Sequence, residues 1–430
     1  MNILKLIIAV SILVTSGFAS ESDSLKINNG KNNQPSLRTY TTLTFSPGLN
    51  MTSGAESIIG LNHGIGVASD KFIRSKWFSE KTVLAKAGGI SFRLAKYILY
   101  DVPIAHFSTV VAHEFYGHGA RYREFDITNI DYGFDAPPPY GDGGGHATAR
   151  IQLNTITYDE LNSIITSGFE VQSVINRKLN LRYMAKDEIL FHEANLYFAS
   201  FRIAIDYVQE TTSDTADNND AAVYIRWLNK NVGITNPDDY KMDIDYLKAH
   251  YYANLANPFL LYSVFNVYKT YLWGGNNTTG VPMIQTKNFD YLPSLRVSFT
   301  PFGLEYHLEN YFRFKGKIAL VDLRLGNQKF FKSWGGLGIL VQNFYEKGHY
   351  ALDVDLNIWK QPGMDIGREY ATFKGYGVGA SFSIRGHYDF DDTPHPVSIF
   401  LELGYKSAGF IEGYDLDASP IILFGFGYKN

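Results

Sequence analysis

A strict alternation of apolar and polar residues through the last third of the chain is the feature that most constrains the fold. Leu352 and Val354, for example, flank Asp353, and the pattern continues on both sides. About eight such runs, each roughly ten residues long and separated by turn residues, follow residue 291. A period of two is that of a β-strand, whose successive side chains point to opposite faces. The pattern therefore predicts an antiparallel sheet of roughly 8–10 strands within residues 281–430.

The two faces of these strands differ in a way that is typical of a sheet in contact with lipid. One face carries many Phe, Tyr and Leu, and the other carries charges that a dry core would not tolerate. Tilted strands of about ten residues are long enough to cross the hydrocarbon layer of a bilayer. The region therefore resembles an outer-membrane β-barrel, closed by a further strand at residues 37–45, because a closed barrel leaves no unpaired backbone in lipid. The alternative is a soluble sandwich or lipocalin-like barrel, whose strands alternate too.

The N-terminus has the features of a cleavable secretory signal peptide over residues 1–19. Lys5 precedes a short apolar run, and Gly17 and Ala19 supply small residues before a cut after Ala19. Residues 20–36 are polar and predict a flexible leader. The protein is therefore expected to be exported to the outer membrane or, as the alternative, to the periplasm. The chain contains no cysteine, which excludes disulfides and thiolate ligands.

Two further regions lie between the leader and the sheet. The sequence predicts one strand followed by irregular structure over residues 37–90, and a helical domain over residues 91–280. The expected fold class is thus α+β, a helical domain joined to a C-terminal antiparallel membrane barrel. The charge is nearly balanced, with 39 Lys and Arg against 43 Asp and Glu, so no nucleic-acid partner is expected.

The sharpest local motif is HEFYGH, which extends from His113 to His118 within an apolar helical stretch. Neutral imidazoles bind Zn²⁺ well, and Glu114 beside the first histidine can deprotonate a water that the metal activates. Zinc peptidases usually place these histidines four residues apart, whereas here they are five apart, about 140° around an ideal helix. Both can face one metal only if the helix contains an extra residue, as in a π-bulge. Gly117 would ease that distortion.

This HExxGH pattern is similar to the helix motif of the dipeptidyl peptidase III family of zinc exopeptidases, although the likeness covers only six residues. The resemblance implies Zn²⁺ bound by His113 and His118, with Glu114 as the general base. It also implies a third ligand, a glutamate on a later helix, for which Glu193 is the candidate. His192 stands where that family's second motif has a glutamate, so His192 is the alternative third ligand.

The glycine-rich loop after the motif contains His146, which could stabilise the oxyanion of a tetrahedral intermediate or simply be a surface histidine. The predicted function is an exported, outer-membrane-associated zinc hydrolase that cleaves a peptide or protein substrate and contacts membrane lipid. The alternative is a non-catalytic outer-membrane barrel, a pore or structural protein, with a helical plug or cap.

Overall fold

The computed structural model describes residues 26–27, 37–73, 82–152, 155–213, 216, 219–235, 242–326, 333–366, 376–391 and 396–429. The strands are β1 (Lys26–Ile27), β2 (Tyr40–Phe45), β3 (Ile130–Phe134), β4 (Gly145–Ala149), β5 (Glu188–Leu190), β6 (Thr278–Gly280), β7 (Ile284–Gln285), β8 (Asp290–Thr300), β9 (Gly303–Phe314), β10 (Lys317–Gly326), β11 (Trp334–Lys347), β12 (Tyr350–Pro362), β13 (Tyr376–Asp389), β14 (Val397–Lys406) and β15 (Ser419–Lys429).

The helices are α1 (Met51–Phe72), α2 (Val83–Lys96), α3 (Val102–Val111), α4 (Gly119–Glu124), α5 (Tyr158–Lys186), α6 (Phe191–Glu210), α7 (Asp220–Thr235), α8 (Ile244–Tyr251) and α9 (Pro258–Phe265). Several of these continue without a break into π-helical or 3₁₀ turns. The π-helical segments are Tyr97–Asp101, Ala112–His118 and Asn266–Trp273, and the 3₁₀ segment is Tyr252–Ala256.

One antiparallel sheet contains all the long strands, in the order β1-β7-β8-β9-β10-β11-β12-β13-β14-β15-β2. Strands β8 to β15 pair with one another in chain order. Strand β2, from the N-terminal part of the chain, adds to β15, with Leu43 opposite Phe426. The α+β class, the large antiparallel sheet and the predicted strand near residues 37–45 are confirmed.

In strands β12 to β15 the two faces of the sheet are reversed relative to those of a soluble protein. Leu356 pairs with Phe382, which in turn pairs with Tyr405, and all three side chains are exposed. On the opposite face Glu402 is buried, and it forms an ion pair of 2.7 Å with Arg385, whose side chain is largely covered. Soluble sheets bury their apolar face and expose their charges. These strands therefore leave a row of aliphatic and aromatic side chains that the described part of the protein does not cover.

Helix α5 lies against the charged inner face and is enclosed on all sides, because 21 of its 29 residues are buried. It begins with a capping box in which Thr157 Oγ1 accepts from Glu160 N and the Glu160 carboxylate accepts from Thr157 N. Its Arg177 interacts with carboxylates from three different strands, namely Glu309, Asp322 and Asp355. The sheet therefore curls around α5.

Helices cover the two edges of the curled sheet. On β2, Thr44 N donates to Ser57 Oγ of α1 (2.9 Å), and the same hydroxyl donates to Thr44 O (2.8 Å). On β8, Val297 N donates to Asn254 Oδ1 and Asn254 Nδ2 donates to Val297 O, both at 2.8 Å. Among the strands described, no ladder joins β2 to β8 or β1. The strand-to-strand closure expected from the sequence is therefore not found, because helical side chains take the edge hydrogen bonds that another strand would use.

The region 37–90 differs from its prediction. The strand is present, but the segment expected to be irregular contains α1 and the start of α2. The glycines that suggested a loop allow close packing instead, since a Cβ on Gly60 would overlap the Thr42 carbonyl and one on Gly66 would overlap His192. Within the predicted leader, Lys26–Ile27 pair with β7. The predicted signal peptide, residues 1–19, lies outside the described residues.

Among the described residues, no helix is both long enough and apolar enough to cross a bilayer.

Candidate metal centre

The HEFYGH motif lies on a π-helical segment, Ala112–His118, that continues α3. A π-helix adds one residue to each turn, so residues five apart return to the same side. The rings of His113 and His118 accordingly lie 4.9 Å apart, centroid to centroid. The extra residue that the spacing requires is therefore present, and it brings both imidazoles to one side of the helix.

Two glycines bring this segment into close contact with α5. A Cβ on Gly117 would lie 2.8 Å from the Cα of Gly168, and a Cβ on Gly168 would overlap the His113 ring. Gly117 thus serves helix packing as well as the π-helical turn. The His113 ring occupies the space that a side chain at residue 168 would otherwise fill.

Hydrogen bonds orient the histidine rings. His118 Nδ1 lies 2.7 Å from Ile164 O, and because a carbonyl only accepts, this nitrogen carries the proton. His118 Nε2 therefore faces the other way, as in metal sites where a backbone carbonyl fixes the ligand tautomer. Tyr207 of α6 stacks on His113 with the ring planes 12° apart.

Asp220 completes the cluster. Its Oδ2 lies 3.0 Å from His113 Nε2 and 3.3 Å from His118 Nε2. Asn219 holds the start of α7 in place, since its Oδ1 accepts from Ala222 N and from Thr211 Oγ1. Ligands bound to zinc at 2.0–2.1 Å in a tetrahedron are roughly 3.3 Å from one another, so the two distances from Asp220 to the histidines suit ligands of one ion.

The charges of the three residues also suit a cation. Burial alone would lower the pKa of His118, but the charge of Asp220 and its hydrogen bond, together with Glu114, raise it to about 9. Burial would raise the pKa of Asp220, but the two facing imidazoles hold it well below its usual range. Without a metal, the cluster therefore retains a proton at the position that a cation would occupy.

Glu114 lines a cleft of about 300 Å³ beside the cluster. Its side chain is 4% exposed, yet it forms no hydrogen bond or ion pair with any residue that the structure describes. A Cβ on Gly145 would lie 2.9 Å from Glu114 Cγ, so the glycine-rich loop approaches the carboxylate closely. The carboxylate faces the cleft, where it can accept a hydrogen bond from a bound ligand.

His146 does not face this cleft. It lies on β4, where alternate side chains point to opposite sides, and Gly145 takes the side that faces Glu114. The His146 ring is exposed, 3.7 Å from Asp131. The prediction that His146 acts as an electrophile is therefore wrong. The cleft residue that contacts the metal cluster through its ring is Tyr207.

Glu193 and His192 lie away from the cluster. Glu193 and Tyr207 are fourteen residues apart on α6, or about 21 Å along a helix axis. Glu193 instead accepts from Arg182 (2.6 Å) and from His63, and His192 pairs with Asp70. Glu193 as the third ligand is therefore wrong, because its helix meets the motif at its far end and its charge is already neutralised.

Asp220 and Tyr207 are the site residues that sequence reasoning missed. The run of residues 211–220 (TTSDTADNND) is polar throughout, a composition that predicts a solvated loop rather than a site. Its last residue directly precedes the apolar helical pattern AAVYIRWL, and Asp or Asn at a helix start is the signal that could have singled out Asp220.

A second group of metal-ligand type, formed by His307, Glu309 and Asp322, lies on the inner face of the sheet. Its charge is already balanced, since Arg296 pairs with Glu309 at 2.9 Å and Arg177 interacts with both carboxylates. An ion-pair network accounts for it without a metal.

Comparison of the chain with protein-family models, with curated proteins and with solved structures gave no match. The resemblance to the dipeptidyl peptidase III helix motif therefore remains a likeness of six residues.

Proposed function

We propose that this protein is a zinc-dependent hydrolase, acting on peptide bonds, whose sheet is embedded in an outer membrane. The observation that carries the proposal is the convergence of His113, His118 and Asp220 beside an unpaired Glu114. Two imidazoles and a carboxylate leave the fourth position of a tetrahedral zinc open, as catalytic sites require.

The roles of the residues follow from their positions. A bound zinc ion would polarise a carbonyl and acidify a water molecule. Glu114, next to a ligand and facing the cleft, would take the proton from that water and pass it to the leaving amine. Ile164 O fixes the tautomer of His118, and Tyr207 holds the His113 ring against rotation.

The outer face of the sheet supports the membrane part of the proposal. Aliphatic side chains such as Ile384, Leu401 and Leu403 are exposed along the strands. At the strand ends near the β11–β12 turn the exposed residues are instead aromatic: Phe344, Tyr345, Tyr350 and Phe390. An aliphatic band bordered by aromatic residues is typical of a surface that spans a bilayer. We infer that the curled sheet and its covering helices together form the wall of a barrel-like body.

A pore without catalytic activity is the alternative. It is less well supported, because α5 is buried on all sides within the curled sheet. A plugged structural barrel would still account for the fold, and it would leave the Glu114 carboxylate buried without a function.

The proposal is tested by metal content and peptide hydrolysis. We expect one zinc per chain in the wild type, and loss of zinc in a His113→Ala, His118→Ala double variant. Glu114→Gln should keep the zinc and lower turnover by a factor of about 10² to 10⁴. His146→Ala, a histidine on the neighbouring hairpin that faces away, is the matched control and should retain both zinc and activity. Wild-type protein that stays metal-free after dialysis against zinc would contradict the proposal.

A further inference from the structure

The cleft beside the metal cluster is negatively charged. Besides Glu114, its lining includes Asp142, Asp206 and Glu210. Among the described residues no Lys or Arg lines it, and the sequence that follows Glu210, residues 211–220 (TTSDTADNND), has no basic residue. Carboxylates that converge on one cleft raise the local concentration of cations and repel anions.

Most of this charge has no ion-pair partner among the described residues. Neither Asp142 nor Glu210 forms an ion pair with any residue in the part of the protein that the structure describes. Asp206 pairs with Arg202 at 3.2 Å, but both side chains are exposed and such a pair contributes little. Glu114, buried and unpartnered at the bottom of the cleft, is a separate sign that a ligand belongs here.

Exposed aromatic side chains adjoin residues that line the cleft, since Phe107 follows His106 in the chain and Phe134 is paired with Gly145. Phe107 and Phe134, 43% and 39% exposed, meet edge to face at 6.2 Å. Tyr140, 62% exposed, donates its hydroxyl hydrogen to Leu99 O at 2.6 Å. His106, which precedes Phe107, joins this patch to the cleft through a 2.8 Å hydrogen bond to Gly143 O. An exposed apolar patch beside a cleft marks a binding surface.

We propose that the cleft binds cationic, amphipathic peptides. Basic side chains of the peptide lie against Asp142 and Glu210, and its apolar side lies against Phe107 and Phe134. This inference rests on the proposed peptidase function and adds the substrate class. Charge complementarity favours a basic peptide over an acidic one, and the exposed aromatic side chains favour a peptide with an apolar face.

The test compares three fluorogenic peptides of equal length on zinc-loaded wild-type protein in mild detergent. One is amphipathic with lysines, one has glutamate at each lysine, and one has the lysine composition in scrambled order. We expect kcat/KM for the amphipathic lysine peptide to exceed that for the glutamate peptide at least tenfold, and that for the scrambled peptide severalfold. The charge preference should shrink as ionic strength rises.

Variants and a binding measurement test whether the charge preference arises from the carboxylates of the cleft. Asp142→Lys combined with Glu210→Lys should reverse the charge preference, whereas Asp245→Lys, an exposed acidic residue outside the cleft, should not. Fluorescence anisotropy of the labelled lysine peptide on Glu114→Gln protein reports binding without turnover, and should show weaker binding once Asp142 and Glu210 are replaced.

The outcomes separate the two ideas. Equal hydrolysis of the lysine and glutamate peptides, or an unchanged preference in the double variant, overturns the inference and leaves the peptidase proposal intact. No hydrolysis of any peptide by zinc-loaded protein overturns the proposed function, and the inference with it.

Discussion

Individual side chains decide which acid completes the metal cluster. Asp220→Ala should abolish stoichiometric zinc binding, because it removes an atom that lies 3.0 and 3.3 Å from the two imidazole nitrogens. Glu193→Gln should keep zinc but lower the free energy of unfolding by about 3–5 kcal/mol, since it leaves Arg182 buried without its anion. Metal analysis and denaturant unfolding of both variants distinguish these outcomes. Zinc lost from Glu193→Gln and kept by Asp220→Ala would return the third ligand to α6.

The His118–Asp220 pair should make the stability of the metal-free protein depend on pH. The pKa of His118 rises from 6.5 to about 9 on folding, so its contribution is complete below pH 6.5 and is lost as pH rises to about 9. The pKa of Asp220 is lowered on folding. Its contribution to stability is therefore complete above pH 3.8 and is lost in stronger acid. The Tm of the metal-free protein should therefore fall between pH 6.5 and 9.

Saturating zinc should remove that fall, because zinc displaces the shared proton and binds more strongly as pH rises. His118→Gln, which lacks the titrating ring, is the control and should show no such fall even without metal. An equal decline of Tm in the wild type and in His118→Gln would assign the pH dependence to other groups.

At this scale the sequence predicted the members of the histidine–aspartate cluster that lie within one motif and missed the member that lies elsewhere. Two histidines five residues apart reach the same side of a helix only if it contains a π-helical turn. His113 and His118 could therefore both be assigned from the sequence. The identity of the third residue depends on which end of α6 packs against the motif and on where α7 begins. Both are determined by tertiary packing. His146 failed for a local reason, since the strand alternation that points it outward was assigned to a loop.

Among the elements, the contact between the π-helical segment and α5 is the most sensitive. Gly168→Ala should displace the His113 ring and reduce zinc content, because its Cβ would overlap that ring. Gly64→Ala is the matched control: Gly64 lies within α1 with open space around its Cβ position, so alanine should stabilise by about 0.5–1 kcal/mol. Zinc titration and thermal unfolding measure both effects. Full zinc binding by Gly168→Ala would show that the contact tolerates a methyl group.

Element prediction succeeded where side-chain periodicity was strong and failed where glycine suggested a break. The strands of the last third follow from their alternation. Helix α1 did not, because its sequence is mixed in polarity and interrupted by glycines such as Gly54, Gly60 and Gly66. Each of them allows close contact, with Tyr116, Thr42 and His192 respectively, so glycine marks packing there rather than a turn.

For the whole molecule, the reversed faces of the sheet predict where charge can be tolerated. Leu401→Arg, in the exposed aliphatic band of β14, should destabilise the protein in lipid by about 2–4 kcal/mol. Tyr350→Arg, at the aromatic end of β12, should cost about 0–1 kcal/mol. Unfolding titrations in lipid vesicles measure the difference. Equal, small costs at both positions would mean that water rather than lipid contacts the outer face.

The sequence predicted the reversed faces but not the way in which the sheet ends. A closed strand ladder was expected because lipid tolerates no unpaired edge. Instead, the side chains of Ser57 and Asn254, which lie on helical segments, form hydrogen bonds with the backbone of β2 and β8. No periodicity in the sequence around either residue identifies it as such a partner.

The pairing of β2 with β15 also constrains the order of biosynthesis. A ribosome completes β2 early and β15 late, so the α1–β2 unit has no neighbouring strand until nearly the whole chain has been made. A product terminated before Ser419 would lack the partner of β2 and would leave β14 as a bare edge. Exposed edges of this kind attract proteases and promote aggregation. Because β2 pairs with the last strand, the sheet can be completed only after nearly the whole chain has been translated.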